Sequence, residues 1–158
     1  MKKTPFVTKE QLDEMINKYP TPFHLYDEKG IRENVKALKE AFSWNKGFKE
    51  YFAVKATPNP FLINILREYG CGCDCSSYTE LMLSEAMGVT GHDIMFSSNA
   101  TPAEEFAYAD KLGAIINLDD FTHIDFLEKT IGHIPETISC RYNPGGLFQI
   151  SNDIMDNP

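Results

Sequence analysis

The segment YFAVKATPNP, residues 51–60, places a lysine at the end of an apolar run. Phe48 to Lys55 is predicted to be a strand, and Asn59 followed by Pro60 is typical of a helix N-cap and first helical position. In enzymes built on parallel strands, the active-site residues lie at the carboxyl ends of the strands. Partial desolvation there favours the neutral amine, a nucleophile that forms a Schiff base with an aldehyde. The alternative is a lysine whose stem packs on the sheet and whose ammonium reaches water.

The same alternation of strand and helix continues along the chain. Further strands are predicted at residues 71–76, 94–97, 114–118 and 137–143, so that strands recur about every 21 to 24 residues, and amphipathic helices lie between them. Such repetition predicts parallel strands with right-handed crossovers. A closed (β/α)₈ barrel needs about eight strands and typically about 250 residues. We therefore expect an α/β fold that is either a partial barrel, with about five of the eight strands, or a small open sheet that is complete; the periodicity alone does not separate the two.

Capping signals mark the starts of the helices. The first helix is predicted to begin after Thr8, with Gln11 closing a capping box, and the second after Asp27. Before the second helix, Thr21 to Tyr26 is predicted to be a short strand. Ser77 with Glu80 predicts another capping box. The helix that Asn59 and Pro60 open is predicted to point Phe61, Ile65 and Leu66 inward. The remaining start signals are Thr101, Pro102 and Glu104 for one helix and Asp120 for the next.

Composition narrows the class of protein. The chain has 158 residues, 42% hydrophobic residues and a formal net charge of -8. It therefore has enough apolar residues for a packed core, and its acidity argues against nucleic acid or an anionic membrane as partner. Neither a secretory signal nor a membrane-spanning stretch is recognised in the sequence, so we expect a cytoplasmic protein.

Cysteines alternate with other residues at Cys71, Cys73 and Cys75, and Cys140 stands apart. The alternating set is interpreted as small apolar side chains on one face of a strand, because residues two apart in a strand point the same way. The alternative is a metal or redox site, but the spacing is not that of a zinc site. No metal is expected.

The segment around Lys55 resembles the lysine strand of the diaminopimelate/ornithine decarboxylase family, which uses pyridoxal 5'-phosphate (PLP). Its pattern is roughly Tyr-x-Val-Lys-Ala-Asn-x-Asn-Pro. Other stretches resemble the family in the same order, over about 120 residues: 21–27, 72–81, 96–99, 116–119 and 140–144. The alanine racemases share the barrel and the lysine strand, but the Tyr-Gly-His stretch that follows in them is absent from this sequence.

The resemblance implies roles for individual residues. Lys55 would hold PLP as a Schiff base, Asp74 would lie beside the cofactor and the lysine, and Arg141 would point at the ring and its phenolic oxygen. For Arg141 the alternative is a structural salt bridge to a neighbouring carboxylate. Glu80 would lie near the same rim, where the alternative is a capping role alone. The histidines (His24, His92, His123 and His133) are expected at the surface or in loops.

The resemblance also implies the reaction and the domain organisation. Residues 1–26 would pair with a C-terminal β-domain, and residues 27–158 would form the N-terminal part of the PLP-binding barrel, inactive alone. The complete enzyme would be a homodimer that decarboxylates meso-diaminopimelate to L-lysine in lysine biosynthesis. The alternatives are a sibling enzyme that acts on ornithine, arginine or carboxynorspermidine, and a non-catalytic barrel relative with a binding or regulatory role.

Overall fold

The computed structural model describes residues 4–142 and divides into two compact units after Lys46. The first unit contains helices α1 (Lys9–Lys18) and α2 (Glu28–Ala41). The predicted capping box of α1 is confirmed, because Thr8 Oγ1 accepts from the Gln11 backbone and Gln11 Oε1 accepts from the Thr8 backbone at 2.9 Å. Asp27 caps α2, as predicted, by accepting from the Gly30 backbone N–H at 3.1 Å.

The strand predicted at Thr21 to Tyr26 is absent from the structure, so that prediction is wrong for residues 4–142. A strand exists only through a ladder of backbone hydrogen bonds to a neighbour, and this segment pairs with no other part of the described chain. Pro20 and Pro22 limit the backbone locally and remove two N–H donors, but cannot supply a partner. The segment is therefore irregular between α1 and α2.

The second unit is a parallel sheet flanked by helices. Its strands are β1 (Tyr51–Ala53), β2 (Gly72–Cys75), β3 (Ile94–Phe96), β4 (Ile115–Leu118) and β5 (Ile138–Cys140). The intervening helices are α3 (Pro60–Arg67), α4 (Tyr78–Ala86), α5 (Ala103–Lys111) and α6 (Thr122–Ile131).

The strand order follows the chain order from β1 to β5, and every neighbouring pair is parallel. Right-handed crossovers that all advance in one direction place all their helices on one face of the sheet. A doubly wound open sheet reverses direction and carries helices on both faces. The order is thus that of a barrel arc, which confirms the predicted fold class over the part of the chain that the structure describes.

Strand β1 is shorter than the predicted strand of residues 48–55. Pairing with β2 covers only Tyr51 to Ala53, after which residues Val54–Ala56 form a 3₁₀ turn closed by the Thr57 N–H on the Val54 carbonyl at 3.2 Å. The prolines at positions 58 and 60 follow at once, and a continued ladder would lack their N–H groups. Lys55 is therefore lifted out of the strand into the turn. Strand β5 is also shorter than predicted, and Asn143 lies outside the described residues.

The core lies between the helices and one face of the sheet. Its largest fully buried side chains come from both layers: Phe96, Ile94 and Ile116 from the strands, and Phe106, Ile63, Leu81 and Leu127 from the helices. In α3 the buried position is Ile63, whereas Phe61, which the periodicity predicted to point inward, is 81% exposed. Residue 61 lies in the first turn of the helix.

The alternating cysteines belong to this core, as predicted. Cys73 and Cys75 are fully buried and Cys71 nearly so. Burial raises the pKa of the Cys75 thiol to about 12, and the thiol lies 3.2 Å from Ser84 Oγ of α4. Cys73 and Cys75 are reduced thiols that pack in the core as small apolar groups. Within residues 4–142, none of the helices is both long and apolar enough to cross a bilayer.

This packing predicts the reactivity of the thiols. Cys140 is exposed and should react rapidly with an aromatic disulfide reagent at pH 8, whereas Cys73 and Cys75 should react only as fast as the chain unfolds, because buried protonated thiols are poor nucleophiles. Stopped-flow absorbance with and without denaturant measures both phases. The matched control is Cys140→Ser, which should lose the rapid phase. A rapid phase that persists in this variant would contradict the buried placement.

Candidate active site

A cavity of about 590 Å³ opens at the carboxyl ends of the strands. All three predicted site residues line it: Lys55 after β1, Asp74 in β2 and Arg141 after β5. Hydroxyl groups of Ser97 and other residues complete a polar wall. The parallel register thus gathers an amine, a carboxylate and a guanidinium from distant parts of the sequence around one space.

Lys55 occupies the middle of the 3₁₀ turn that ends β1. Its neighbour Val54 is fully buried and anchors the turn in the core, whereas Lys55 itself is exposed. Its ammonium has no hydrogen-bond or ion-pair partner within residues 4–142. The partial desolvation expected from the sequence is therefore not provided by the residues the structure describes. An unpartnered amine at the rim suits both a nucleophile and a solvated surface lysine.

Asp74 lies on the sheet face opposite the cysteines. In the ladder it is paired with Ala53 of β1 and Met95 of β3, which places it one strand away from Lys55. Ser97 Oγ donates to Asp74 Oδ1 at 2.5 Å, and this part of the site is only partly buried. The carboxylate therefore has a fixed orientation on the wall of the cavity.

Arg141 is held by its backbone and by its side chain. Its N–H donates to the Leu118 carbonyl at 2.9 Å, extending the pairing of β4 with β5, and its Nε lies 2.9 Å from Asp119 Oδ1. The contact with Asp119 is an ion pair without hydrogen-bond geometry. The structural salt bridge that was the alternative role of Arg141 is thus present, and the same side chain lines the cavity.

Glu80 organises the turn between β2 and α4. Its carboxylate accepts from the Ser76 N–H at 2.9 Å, from Ser76 Oγ at 3.1 Å and from Ser77 Oγ at 3.1 Å. The predicted capping box is wrong, because Ser77 donates to Glu80 instead of accepting from a helix N–H. The Tyr78 N–H is capped by Glu105 of α5 at 2.9 Å. Glu80 therefore fixes the turn between β2 and α4. Because Ser76 of this turn lines the cavity, Glu80 contributes to the shape of the site through the turn.

The histidines differ in their exposure. His24, His92 and His133 are exposed, as predicted, but His123 is partly buried in α6, with its ring 5.7 Å from that of Phe106. Residues 4–142 contain no group of three or more His, Cys, Asp or Glu side chains arranged to hold a metal ion.

Two residues that sequence reasoning did not select contact the site directly. Ser97 binds Asp74, and Asp119 pairs with Arg141. Both stand in the stretches that carry the family resemblance, at the ends of their strands. That position was the available signal, because the strand ends are where the cavity forms.

Comparison with known proteins agrees with the geometry. Residues 28–147 match the family model described as "Pyridoxal-dependent decarboxylase, pyridoxal binding domain". The chain is 41% identical over 143 residues to protein TabA of Pseudomonas amygdali pv. tabaci, covering 90% of this chain and 33% of that protein. It is 33% identical over 134 residues to the diaminopimelate decarboxylase of Thermoplasma acidophilum, covering 85% and 32%. The chain thus spans about a third of the length of these relatives.

Solved structures show the same fold. The diaminopimelate decarboxylase of Helicobacter pylori, complexed with L-lysine, superposes with a TM-score of 0.69 at 30% identity, over 75% of this chain and 30% of that one. The lysine decarboxylase of Selenomonas ruminantium gives 0.72 at 22% identity, over 82% and 33%, which supports the fold alone. The family match covers most of the chain and its site residues, so this chain belongs to the pyridoxal-dependent decarboxylases and carries their pyridoxal-binding domain.

Proposed function

We propose that Lys55 is the residue that binds PLP covalently, and that the complete enzyme removes the α-carboxylate of an amino acid. The observation that carries the proposal is the single cavity that Lys55, Asp74 and Arg141 line at the strand ends. A family of pyridoxal-dependent decarboxylases makes this the reaction to expect at such a site.

The residues present fit the chemistry of the cofactor. PLP carries an aldehyde, an anionic ring oxygen and a phosphate, and needs an amine and positive charge nearby. Lys55 offers an amine without a competing partner in the described part of the chain, and Arg141 offers a guanidinium at the same cavity. When bound, PLP supplies an electron sink for the bond that loses carbon dioxide.

Each site residue contributes a distinct step of positioning or proton handling. Lys55 Nζ binds the cofactor and must exchange a proton when it attaches and when it leaves. Asp74, on the adjacent strand, is placed to hold that proton or to favour the ammonium form between turnovers. Arg141 keeps N–H groups available beyond the Nε that faces Asp119, and these can bind an anionic oxygen.

We infer meso-diaminopimelate as the substrate and L-lysine as the product. Support comes from the relatives named diaminopimelate decarboxylase, at 33% identity in Thermoplasma acidophilum, and from the Helicobacter pylori enzyme complexed with L-lysine. The similarity to TabA leaves other substrates open, including ornithine, arginine and carboxynorspermidine. A non-catalytic relative remains the alternative from another class; the presence of both Lys55 and Arg141 at one cavity favours the enzyme.

The setting of the enzyme is also proposed. With this activity we propose a role in lysine biosynthesis, a cytoplasmic location and a homodimer. We further propose that residues 1–26 belong functionally with a β-domain and residues 27–158 with the barrel. Sedimentation of the complete enzyme tests the dimer, and the domain assignment stays a prediction.

Trapping tests the role of Lys55. Borohydride reduction of the PLP-loaded enzyme should leave the pyridoxyl mass on the peptide that contains Lys55, because among the lysines in residues 4–142 only this one lines the cavity with Asp74 and Arg141. Peptide mass spectrometry locates the label. Lys55→Ala should lose the label and the visible absorbance of the bound cofactor, whereas Lys111→Ala, a surface control paired with Glu85, should keep both. Label on another lysine of the wild-type protein would contradict the assignment.

A substrate panel tests the reaction. Carbon dioxide release should be fastest from meso-diaminopimelate, with kcat/KM at least about tenfold above ornithine, arginine or lysine, since a site that binds a second polar group discriminates strongly against substrates that lack it. A coupled assay of released carbon dioxide measures each rate. Faster release from ornithine or arginine would transfer the assignment to a sibling enzyme, and PLP binding without release from any amino acid would favour the non-catalytic relative.

A further inference from the structure

We propose that Ser97 is a positioning residue that holds the Asp74 carboxylate in place beside Lys55. The proposal rests on the function inferred for the cavity. Ser97 lines the same cavity as Asp74 and Lys55, and it also lines a smaller adjoining cavity of about 310 Å³ on the same sheet face. It therefore lies where a change in side chain acts on the site and not on the helix-covered core.

The backbone at Ser97 is fixed by the sheet. Its N–H donates to the Cys75 carbonyl at 2.8 Å, which extends the pairing of β2 with β3 one residue past Phe96. Asp74 is in register with Met95, and Ser97, two residues further on, points to the same face. The serine hydroxyl is thus a diagonal neighbour of the carboxylate, and neither backbone can move without breaking the ladder.

The hydrogen bond involves one carboxylate oxygen and leaves the other available. Ser97 Oγ donates to Asp74 Oδ1 at 2.5 Å, within the range expected when a hydroxyl donates to an ionised carboxylate. Asp74 Oδ2 has no hydrogen-bond partner in residues 4–142. With one oxygen tied to β3, rotation of the carboxyl group is restricted, and the second oxygen is left for a group that binds in the cavity that Lys55 also lines.

A comparable serine on the other side of the sheet supplies the matched control. Ser84 of α4 is fully buried and lies 3.2 Å from Cys75 Sγ, on the face that the helices cover. Ser84→Ala removes a buried hydroxyl contact at a neighbouring strand residue without touching the cavity. A purely structural effect of losing a serine hydroxyl should therefore appear in Ser84→Ala as well as in Ser97→Ala.

The experiment follows covalent attachment of PLP in the complete enzyme. Apoenzyme is mixed with PLP, samples are reduced with borohydride at intervals, and the label on the Lys55 peptide is quantified by mass spectrometry. We expect Ser97→Ala to slow labelling by about tenfold, the effect typical of losing a hydrogen bond to a charged group. Ser97→Thr, which keeps the hydroxyl, should label at close to the wild-type rate. Ser84→Ala should also label at close to that rate, even where its unfolding temperature is lower.

A second comparison separates positioning from folding. In an Asp74→Ala background, Ser97→Ala should cause little further slowing, because the carboxylate that accepts from the serine hydroxyl is already removed; the coupling is read from the four variants together. Circular dichroism confirms that each variant is folded.

Each outcome decides between the inferences. Labelling of Ser97→Ala at the wild-type rate, equal slowing in Ser84→Ala, or additive slowing in the Asp74→Ala background would overturn the role of Ser97 while leaving PLP on Lys55. Absence of any label on Lys55 in the wild-type enzyme would overturn the proposed function and this inference together.

Discussion

Side-chain alternation along the parallel strands is the constraint on which both the core and the site depend. The register pairs Asp74 with Met95 on one face and Cys73 with Ile94 on the other, so the two faces acquire different chemistry. The cysteine face is covered by the helices and is apolar. The opposite face carries the charged and hydroxyl groups that line the cavity. A slip of one residue in β2 would exchange Asp74 with a buried cysteine and destroy core and site at once.

The turns that follow the strands place side chains around the cavity at the carboxyl end of the sheet. The 3₁₀ turn at Val54–Ala56 keeps Val54 in the core and lifts Lys55 above it. Glu80 ties the turn after β2 through three hydrogen bonds, and Glu105 reaches across from α5 to the start of α4. Two adjacent βα units are therefore hydrogen-bonded to each other at the end of the sheet where the cavity opens. These hydrogen bonds hold the turn after β2 and the start of α4 in place.

Sequence patterns correctly predicted those features that depend on residues close together in the chain. Caps at Thr8, Asp27 and Asn59 involve groups a few residues apart, and the alternation of the cysteines follows from strand geometry alone. Predictions failed where a distant partner decides. Within residues 4–142, Thr21 to Tyr26 lacks a neighbouring strand, and Phe61 has the right spacing but remains 81% exposed. Glu105 replaces the expected cap of α4 from another helix, which no pattern around residue 77 could indicate.

The charged residues of the site illustrate the same limit at the level of function. The resemblance identified Lys55, Asp74 and Arg141 as individual residues, and each assignment remains a proposal. What orients two of them is a neighbour: Ser97 on the next strand for Asp74, and Asp119 at the end of the preceding strand for Arg141. Each neighbour is more than twenty residues away in sequence and within 3 Å in space, a proximity that arises only when the strands register. A carboxylate and a guanidinium that are already oriented lose less freedom when a cofactor binds, so the sheet lowers the entropic cost of forming the site.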